Sequence, residues 1–171
     1  MSKIVDFYLG GQDNKGRSID EILSWSDAKI EAVHDFIQWV FPLHEKSLHS
    51  INTPILSKED IDILSNSDIA KANMSSCLDR FSDFLGLNDN DQKKINFWAN
   101  EGNHNLLRIT RIIRSLRLFG LEMEAYEFYN KVITIGKDNS LPIVTMQFWS
   151  NALVGDISGS LTEKFLELKA V

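Results

Sequence analysis

The chain of 171 residues has the length of one globular domain, and its 43% hydrophobic and 25% charged residues are typical of proteins that bury a single core. Its apolar runs are far shorter than a membrane span and its N-terminus lacks a secretory signal pattern, so we expect a soluble, cytoplasmic protein. The single cysteine, Cys77, excludes an internal disulfide and argues against a thiolate metal cluster. A formal charge of −6 makes nucleic acid an improbable general partner, because the average field of the protein repels phosphate.

Helical periodicity dominates the chain and predicts an all-α fold, a single-domain bundle of about seven or eight helices over residues 1–171. Near the N-terminus, Ile4 to Leu9 is the one segment with some strand character, and it ends at Gly10. Ser18 and Glu21 then form a capping-box pattern, which predicts a short helix toward Trp25.

A second helix is predicted to start at Ser26, a suitable N-cap residue, and to run to Phe41, where Pro42 stops it. Acidic residues in its first turns suit the positive end of the helix dipole. Five apolar residues recur at spacings of three and four and define the face that we expect to meet the core: Ile30, Val33, Ile37, Val40 and Phe41.

The rest of the chain repeats this pattern of caps and apolar faces. Ser57 with Asp60 predicts another short helix, and Asp68 begins a longer one that Gly86 ends. The remaining predicted helices cover 91–99, 103–119, 123–135 with Gly136 as its end, Ser140 to about Leu153, and a last helix that opens at Ser160. The helices on either side of Gly120 are expected to form a helical hairpin, which would be the centre of the bundle.

The stretch NHNLLRITRIIRSLRLFG, residues 103–120, carries four arginines and no carboxylate. On a helical projection its isoleucines, Leu116 and Phe119 fill a core sector of about 120°, and the guanidinium groups cross the rest of the surface. These four arginines are Arg108, Arg111, Arg114 and Arg117. Because cations at this spacing repel one another, we expect negative groups nearby, either the protein's own Asp and Glu or an anionic partner.

Three polar residues, Asn103, His104 and Asn105, stand at the start of this helix. Side-chain oxygens at such positions commonly accept hydrogen bonds from the free N–H groups of the first turn. The alternative is a polar pocket in which His104 and the nearby arginines contact the acid group of a ligand.

The segment HDFIQWVFP, residues 34–42, raises the question of a metal site, because His34 and Asp35 resemble the ligand pairs of helical metal phosphohydrolases. The other histidines lack a recognised ligand spacing, so we predict neither a metal site nor a cofactor. Asp35, Gln38 and Trp39 point away from the apolar face of the predicted helix. Trp39 must therefore be covered by another element, such as the N-terminal segment or the final helix, or be exposed as an aromatic contact.

Two segments, HDFIQWVFPL at 34–43 and NHNLLRITRIIRSLRLFGL at 103–121, resemble the N-terminal domain of the opioid growth factor receptor family. Further agreement lies in FYLGGQDNKGR near the start, NTPILSKEDI at 52–61 and RFSDFLGL at 80–87. The resemblance covers about Ile4 to Ile135, with Phe36 and Val40 as mild departures from the pattern.

The resemblance implies a receptor-like role for an enkephalin peptide and an influence on cell growth, without established catalytic residues. It also allows a nuclear or membrane-associated location in eukaryotes. The longer animal members of the family have C-terminal regions, including repeats, that this chain lacks.

The leading hypothesis is a non-enzymatic binding module for a peptide or other acidic ligand, seated between the HDFIQW helix and the arginine helix. One alternative is an enzyme that acts on a phosphorylated or carboxylated substrate with His34, Asp35 or His104 as acid or base. Another is a nucleic-acid-binding module that uses the arginines. The candidate ligand-binding residues are His34, Asp35, Gln38, Trp39, Asn103, His104, Asn105, Arg108, Arg111 and Arg114.

Overall fold

The computed structural model describes residues 1–45 and 53–155, and the regular structure within these ranges is α-helical. The all-α prediction is confirmed, with ten helices in the described residues instead of seven or eight. The helices are α1 Lys3–Tyr8, α2 Ile19–Leu23, α3 Asp27–Ala32, α4 Ile37–Val40, α5 Lys58–Ser65, α6 Asp68–Phe84, α7 Gln92–Trp98, α8 Asn105–Leu118, α9 Glu122–Asp138 and α10 Ile143–Val154. None of them combines the length and the apolar character needed to cross a bilayer, within the ranges given above.

The long helix α8 lies at the centre of the molecule and packs against both α9 and α10, which also contact each other. The predicted hairpin of α8 and α9 is therefore confirmed. A second group of contacts joins α1, α2, α5 and α6. The apolar face of α8 is fully buried at Ile109, Ile112, Ile113 and Leu116, which makes this helix the middle of the core.

Capping residues in the sequence predict the starts of α2 and α5 correctly. The hydroxyl of Ser18 accepts a hydrogen bond from the Glu21 N–H at 3.2 Å, at the start of α2. Ser57 and Asp60 form a complete capping box at the start of α5, with bonds of 3.0 and 2.9 Å. Each cap satisfies N–H groups that have no partner within the helix, so the sequence signal is local and can be read without the fold.

The strand character of residues 4–9 is not realised, because Lys3–Tyr8 forms α1. Ser2 caps this helix with its hydroxyl, and four of its six residues are buried. Ile4 and Tyr8 lie one helical turn apart, as do Ile4 and Phe7, so the apolar residues form a helical face that covers the core.

The predicted continuous helix from Ser26 to Phe41 is also wrong, because the chain leaves the helix at Val33, with φ −93° and ψ 133°. In an unbroken helix the carbonyl of Ile30 would accept the N–H of His34. Here the guanidinium of Arg108 donates to that carbonyl at 3.1 Å and to the carbonyl of Val33 at 3.0 Å. A side chain from α8 thus satisfies the end of α3, and the next helix, α4, starts only at Ile37.

Gly136 does not end a helix as predicted, since α9 continues to Asp138. A Cβ atom at Gly136 would lie 3.1 Å from Trp149 Cζ3 and 3.2 Å from Met146 Sδ. The glycine therefore permits close packing of α10 on α9. The helix predicted from Ser160, like His49, lies outside the described residues.

Candidate functional site

The arginines of α8 leave the helix in different directions, and Arg108 enters the interior. Its side chain is only 6% exposed and bridges the two carbonyls at the end of α3, while its guanidinium lies 5.7 Å from the centre of the Phe36 ring. Burial lowers the pKa of Arg108, and the charge of Glu31 opposes this effect. Arg108 acts as a C-terminal cap for α3, supplied by a residue distant in the chain.

Arg114 is still more deeply buried, with 1% of its surface exposed. Its Nη2 donates to Glu45 Oε1, and the neighbouring hydroxyl of Ser115 donates to the carbonyl of Pro42 at 2.9 Å. The two contacts hold the segment that follows α4 against α8. Burial lowers the pKa of Arg114, whereas the Glu45 carboxylate raises it.

Arg117 interacts with the end of α10. Its Nη1 donates to the carbonyls of Ala152 at 2.9 Å and Gly155 at 2.8 Å, and its Nε lies 3.2 Å from a carboxylate oxygen of Glu122. A cation at the C-terminal end of a helix is favourable, because the helix dipole leaves negative partial charge there. Two of the four arginines are therefore held mainly by main-chain carbonyls, where the sequence suggested carboxylates.

Arg111 differs from the other three. It is half-buried, and its Nε is inaccessible and has no hydrogen-bond partner in the described part of the chain. Burial lowers the pKa of Arg111 to about 10, an effect that Glu45 opposes and Arg114 reinforces. Within the described residues, Arg111 makes none of the side-chain hydrogen bonds that hold the other three arginines of α8.

The break after α3 brings His34 to His104 at the start of α8. The ring centroids are 5.2 Å apart, with an interplanar angle of 74°. Nε2 of His104 lies 2.9 Å from Glu31 Oε1, and the Asn105 amide donates to the other oxygen of Glu31 at 3.1 Å. Arg108 donates to Asn105 Oδ1 at 3.3 Å, which links the two histidines to the end of α3.

The other candidates from the HDFIQW segment point elsewhere. Asp35 pairs with Lys15 and with Arg17, whose Nη1 lies 2.8 Å from the carboxylate, and the hydrogen bond from Lys15 lowers the pKa of Asp35 most strongly. Gln38 is half-buried. Trp39 is 5% exposed and packs edge-on against Phe7 of α1 at 5.6 Å, so the N-terminal segment covers it.

At the start of α8, the side-chain oxygen of Asn103 accepts a hydrogen bond from the Asn105 N–H at 2.9 Å. Its amide group donates to the carbonyl of Phe97 at 3.2 Å, which ties α8 to the end of α7. Asn103 therefore has the local capping role that its position predicts, whereas Asn105 is fully buried in the network around Glu31.

The structure thus assembles His34, His104, Asn105 and Arg108 and separates them from Trp39 and Arg114. Sequence reasoning missed Glu31, which organises this cluster, and it missed Leu107, which is 69% exposed. Leu107 follows His104 by three residues on the arginine side of the helix, and an apolar residue at such a position was the available signal. No group of three or more His, Cys, Asp or Glu residues within 1–45 and 53–155 is arranged to hold a metal ion.

The conserved region of the opioid growth factor receptor matches residues 4–135 of this chain. The chain belongs to the opioid growth factor receptor family. The match contains both histidines of the cluster, Glu31 and all four arginines of α8.

Three relatives show the extent of the similarity to members of this family. Opioid growth factor receptor-like protein 1 of Xenopus tropicalis is 34% identical over 120 residues, which are 63% of this chain and 23% of the relative. The opioid growth factor receptor of Rattus norvegicus is 31% identical over 121 residues, or 63% of this chain and 21% of the relative. The receptor of Homo sapiens is 30% identical over 122 residues, or 63% and 18% of the two chains. The chain matches about a fifth of the length of these relatives, and no solved structure matches it.

Replacing Glu45 by glutamine should lower the free energy of unfolding by about 3 kcal/mol, because it leaves the buried Arg114 cation without its carboxylate. The matched control is Glu122→Gln, which removes the exposed partner of Arg117 and should cost less than about 1 kcal/mol. Urea denaturation of the three proteins measures both losses. Equal losses would contradict the structural role assigned to the Glu45–Arg114 pair.

Burial lowers the pKa of His104, with further lowering by Arg108 and His34 and partial compensation by Glu31. A histidine whose pKa is lower in the folded state than its unfolded value of about 6.5 favours unfolding as it becomes protonated. The free energy of unfolding should therefore decrease as pH falls below about 6.5, and His104→Gln should reduce this decrease.

The His104 titration can be followed by the NMR signals of its ring. Glu31→Gln should lower the pKa of His104 further, because it removes the one group that opposes the shift. A titration midpoint at or above about 6.5 in the unsubstituted protein would show that the imidazole is not in this environment.

Proposed function

We propose that the chain is a non-enzymatic binding module whose ligand, a peptide, lies on α8 beside the two histidines. The observation that supports this proposal is the exposure of Leu107, whose surface is 69% accessible. The helix α8 lies wholly within the described residues, and Leu107 is its one exposed residue. A large apolar side chain at the sole exposed position of a central helix is suited to contact a partner, since such a position is otherwise best filled by a polar residue.

The surroundings of Leu107 supply polar contacts for a peptide. His34 is exposed and His104 keeps 41% of its side chain accessible, so both rings can meet the main chain of a ligand. Imidazole nitrogens donate or accept hydrogen bonds according to their tautomer, and the Glu31 carboxylate, which contacts His104 and Asn105, holds this group of side chains in place. An exposed leucine flanked by such groups fits a short peptide better than a purely charged ligand.

Membership of the family supports a receptor-like role. The relatives described above are named opioid growth factor receptors or receptor-like proteins, and the matched region contains the whole of α8. An enkephalin peptide, the ligand that the resemblance in the sequence implies, is the first ligand to test.

Neither alternative function is favoured by a specific contact. The Asp35 carboxylate, a candidate base, is occupied by Lys15 and Arg17. The four arginines do not form a continuous outer surface, because Arg108 and Arg114 are buried, and a duplex would need several exposed cations to reach its phosphates.

Isothermal titration of the full chain with an enkephalin, and with a peptide of the same composition in scrambled order, tests the proposal. We expect saturable binding of the enkephalin and about tenfold weaker binding by Leu107→Ala, because burying a leucine side chain against the peptide contributes about 1.5 kcal/mol. Ile69→Ala, which removes a comparably exposed aliphatic side chain from α6, is the matched control and should bind as the parent does. Absence of heat at high protein concentration, or equal binding of both peptides, would contradict the proposal.

A further inference from the structure

Arg111 is a cation of the fold whose polar contacts are incomplete. Its Nε is buried without a hydrogen-bond partner in the described residues, while the side chain as a whole is half-buried, so part of it reaches solvent. Arg108 and Arg117, by contrast, each donate to two main-chain carbonyls. A partly exposed guanidinium with incomplete hydrogen bonding can bind an anionic ligand, because its planar edge can donate two parallel hydrogen bonds to one carboxylate.

We propose that Arg111 binds the carboxylate group of an acidic ligand and that, in the peptide-binding role proposed above, this group is the free C-terminus of the peptide. The assignment of the ligand's end rests on that proposed function. The anion site itself rests on the contacts and the charged surroundings of Arg111, independently of any peptide.

The local balance of charge supports an anion at this place. Glu45 acts on both Arg111 and Arg114, and its carboxylate already contacts the deeply buried Arg114. Two guanidinium groups therefore share the charge of this carboxylate, and these three groups, taken from the described part of the chain, together carry one excess positive charge. An external carboxylate would offset the desolvation of Arg111 that its lowered pKa reflects.

The geometry of α8 connects this anion site to the surface proposed for the peptide. His104, Leu107 and Arg111 have the spacing i, i+3 and i+7, so they lie along one side of the helix. Seven residues of helix span about 10 Å, which three or four residues of an extended peptide also cover. A short peptide along this line would contact the imidazole first, place an apolar side chain against Leu107 and bring its terminal carboxylate to Arg111.

The anion site can be tested without any peptide. Sodium acetate, sodium phosphate and sodium chloride are titrated at matched ionic strength while the Nε–Hε NMR signal of Arg111 is recorded. We expect a saturable shift with acetate and no saturable shift with chloride. Saturation with phosphate alone would overturn the assignment to a carboxylate, and saturation with none of the three would overturn the site.

Acetate should also raise the melting temperature of the parent protein, because a ligand that binds the folded state stabilises it, and this rise should be absent in Arg111→Gln. The matched control is Arg80→Gln, which removes a guanidinium of α6 that pairs with Asp27 and should keep the response to acetate. An equal rise in Arg111→Gln would place the anion elsewhere. If that variant fails to fold, the NMR titration of the parent protein decides alone.

A second binding experiment compares an enkephalin that has a free C-terminus with the same peptide carrying a C-terminal amide. The parent protein should bind the free acid about tenfold more tightly, Arg111→Gln should lose this preference, and Arg80→Gln should keep it. Equal binding of acid and amide by the parent would overturn the assignment of the terminus. Binding of acetate without binding of either peptide would preserve the anion site and overturn the proposed peptide function, so the two failures are distinguishable.

Discussion

The contact on which the arrangement of the candidate site depends is that of Arg108 with the carbonyls of Ile30 and Val33. A helix that ends inside a protein leaves carbonyl groups without partners, and burial of such groups is costly. Arg108 satisfies two of them from the neighbouring helix. Because its cation is held by carbonyl dipoles and the negative end of α3, the same contact also reduces the cost of burying the charge.

This contact determines which side chains meet at the surface. The chain turns out of α3 at Val33, which places the ring of His34 against His104 and lets Phe36 enter the core between Trp25 and Phe81. In a continuous helix His34 and Phe36 would point in directions about 160° apart, fixed by the helix geometry. With the break, packing contacts set these directions instead: Phe36 contacts Trp25 and Phe81 in the core, and the ring of His34, two residues earlier, contacts His104.

The arginines of α8 have mainly a structural role. Arg108, Arg114 and Arg117 join α8 to the end of α3, to the chain at Glu45 and to the end of α10, respectively. Each bond holds a different part of the chain against the central helix. The arginines that the sequence places on the surface of α8 therefore connect this helix to other segments of the fold. What remains available to a ligand is the line from His104 past Leu107 to Arg111.

Local signals in the sequence were sufficient to predict the helix caps at Ser18 and Ser57 and the hairpin of α8 with α9, since each depends on residues close together in the chain. The break at Val33 could not be predicted, because the apolar spacing continues through it and its cause is a side chain 75 residues away. The packing role of Gly136 was missed for the same reason, as the contacting Trp149 belongs to another helix. At the candidate site, the residue types of His34 and His104 were recognised, but Glu31 and Leu107 gain their importance only when α3 and α8 are placed together.

Solution NMR of the parent protein and of Arg108→Met tests the central claim most directly. In the parent protein, backbone chemical shifts should mark Val33 as extended, and nuclear Overhauser effects should connect the rings of His34 and His104. In the variant the cross-ring effects should disappear, while the apolar contacts within α8 and α9 remain. Helical shifts that continue from residue 27 through residue 40 in the parent protein, or an unchanged histidine pair in the variant, would contradict the role assigned to Arg108.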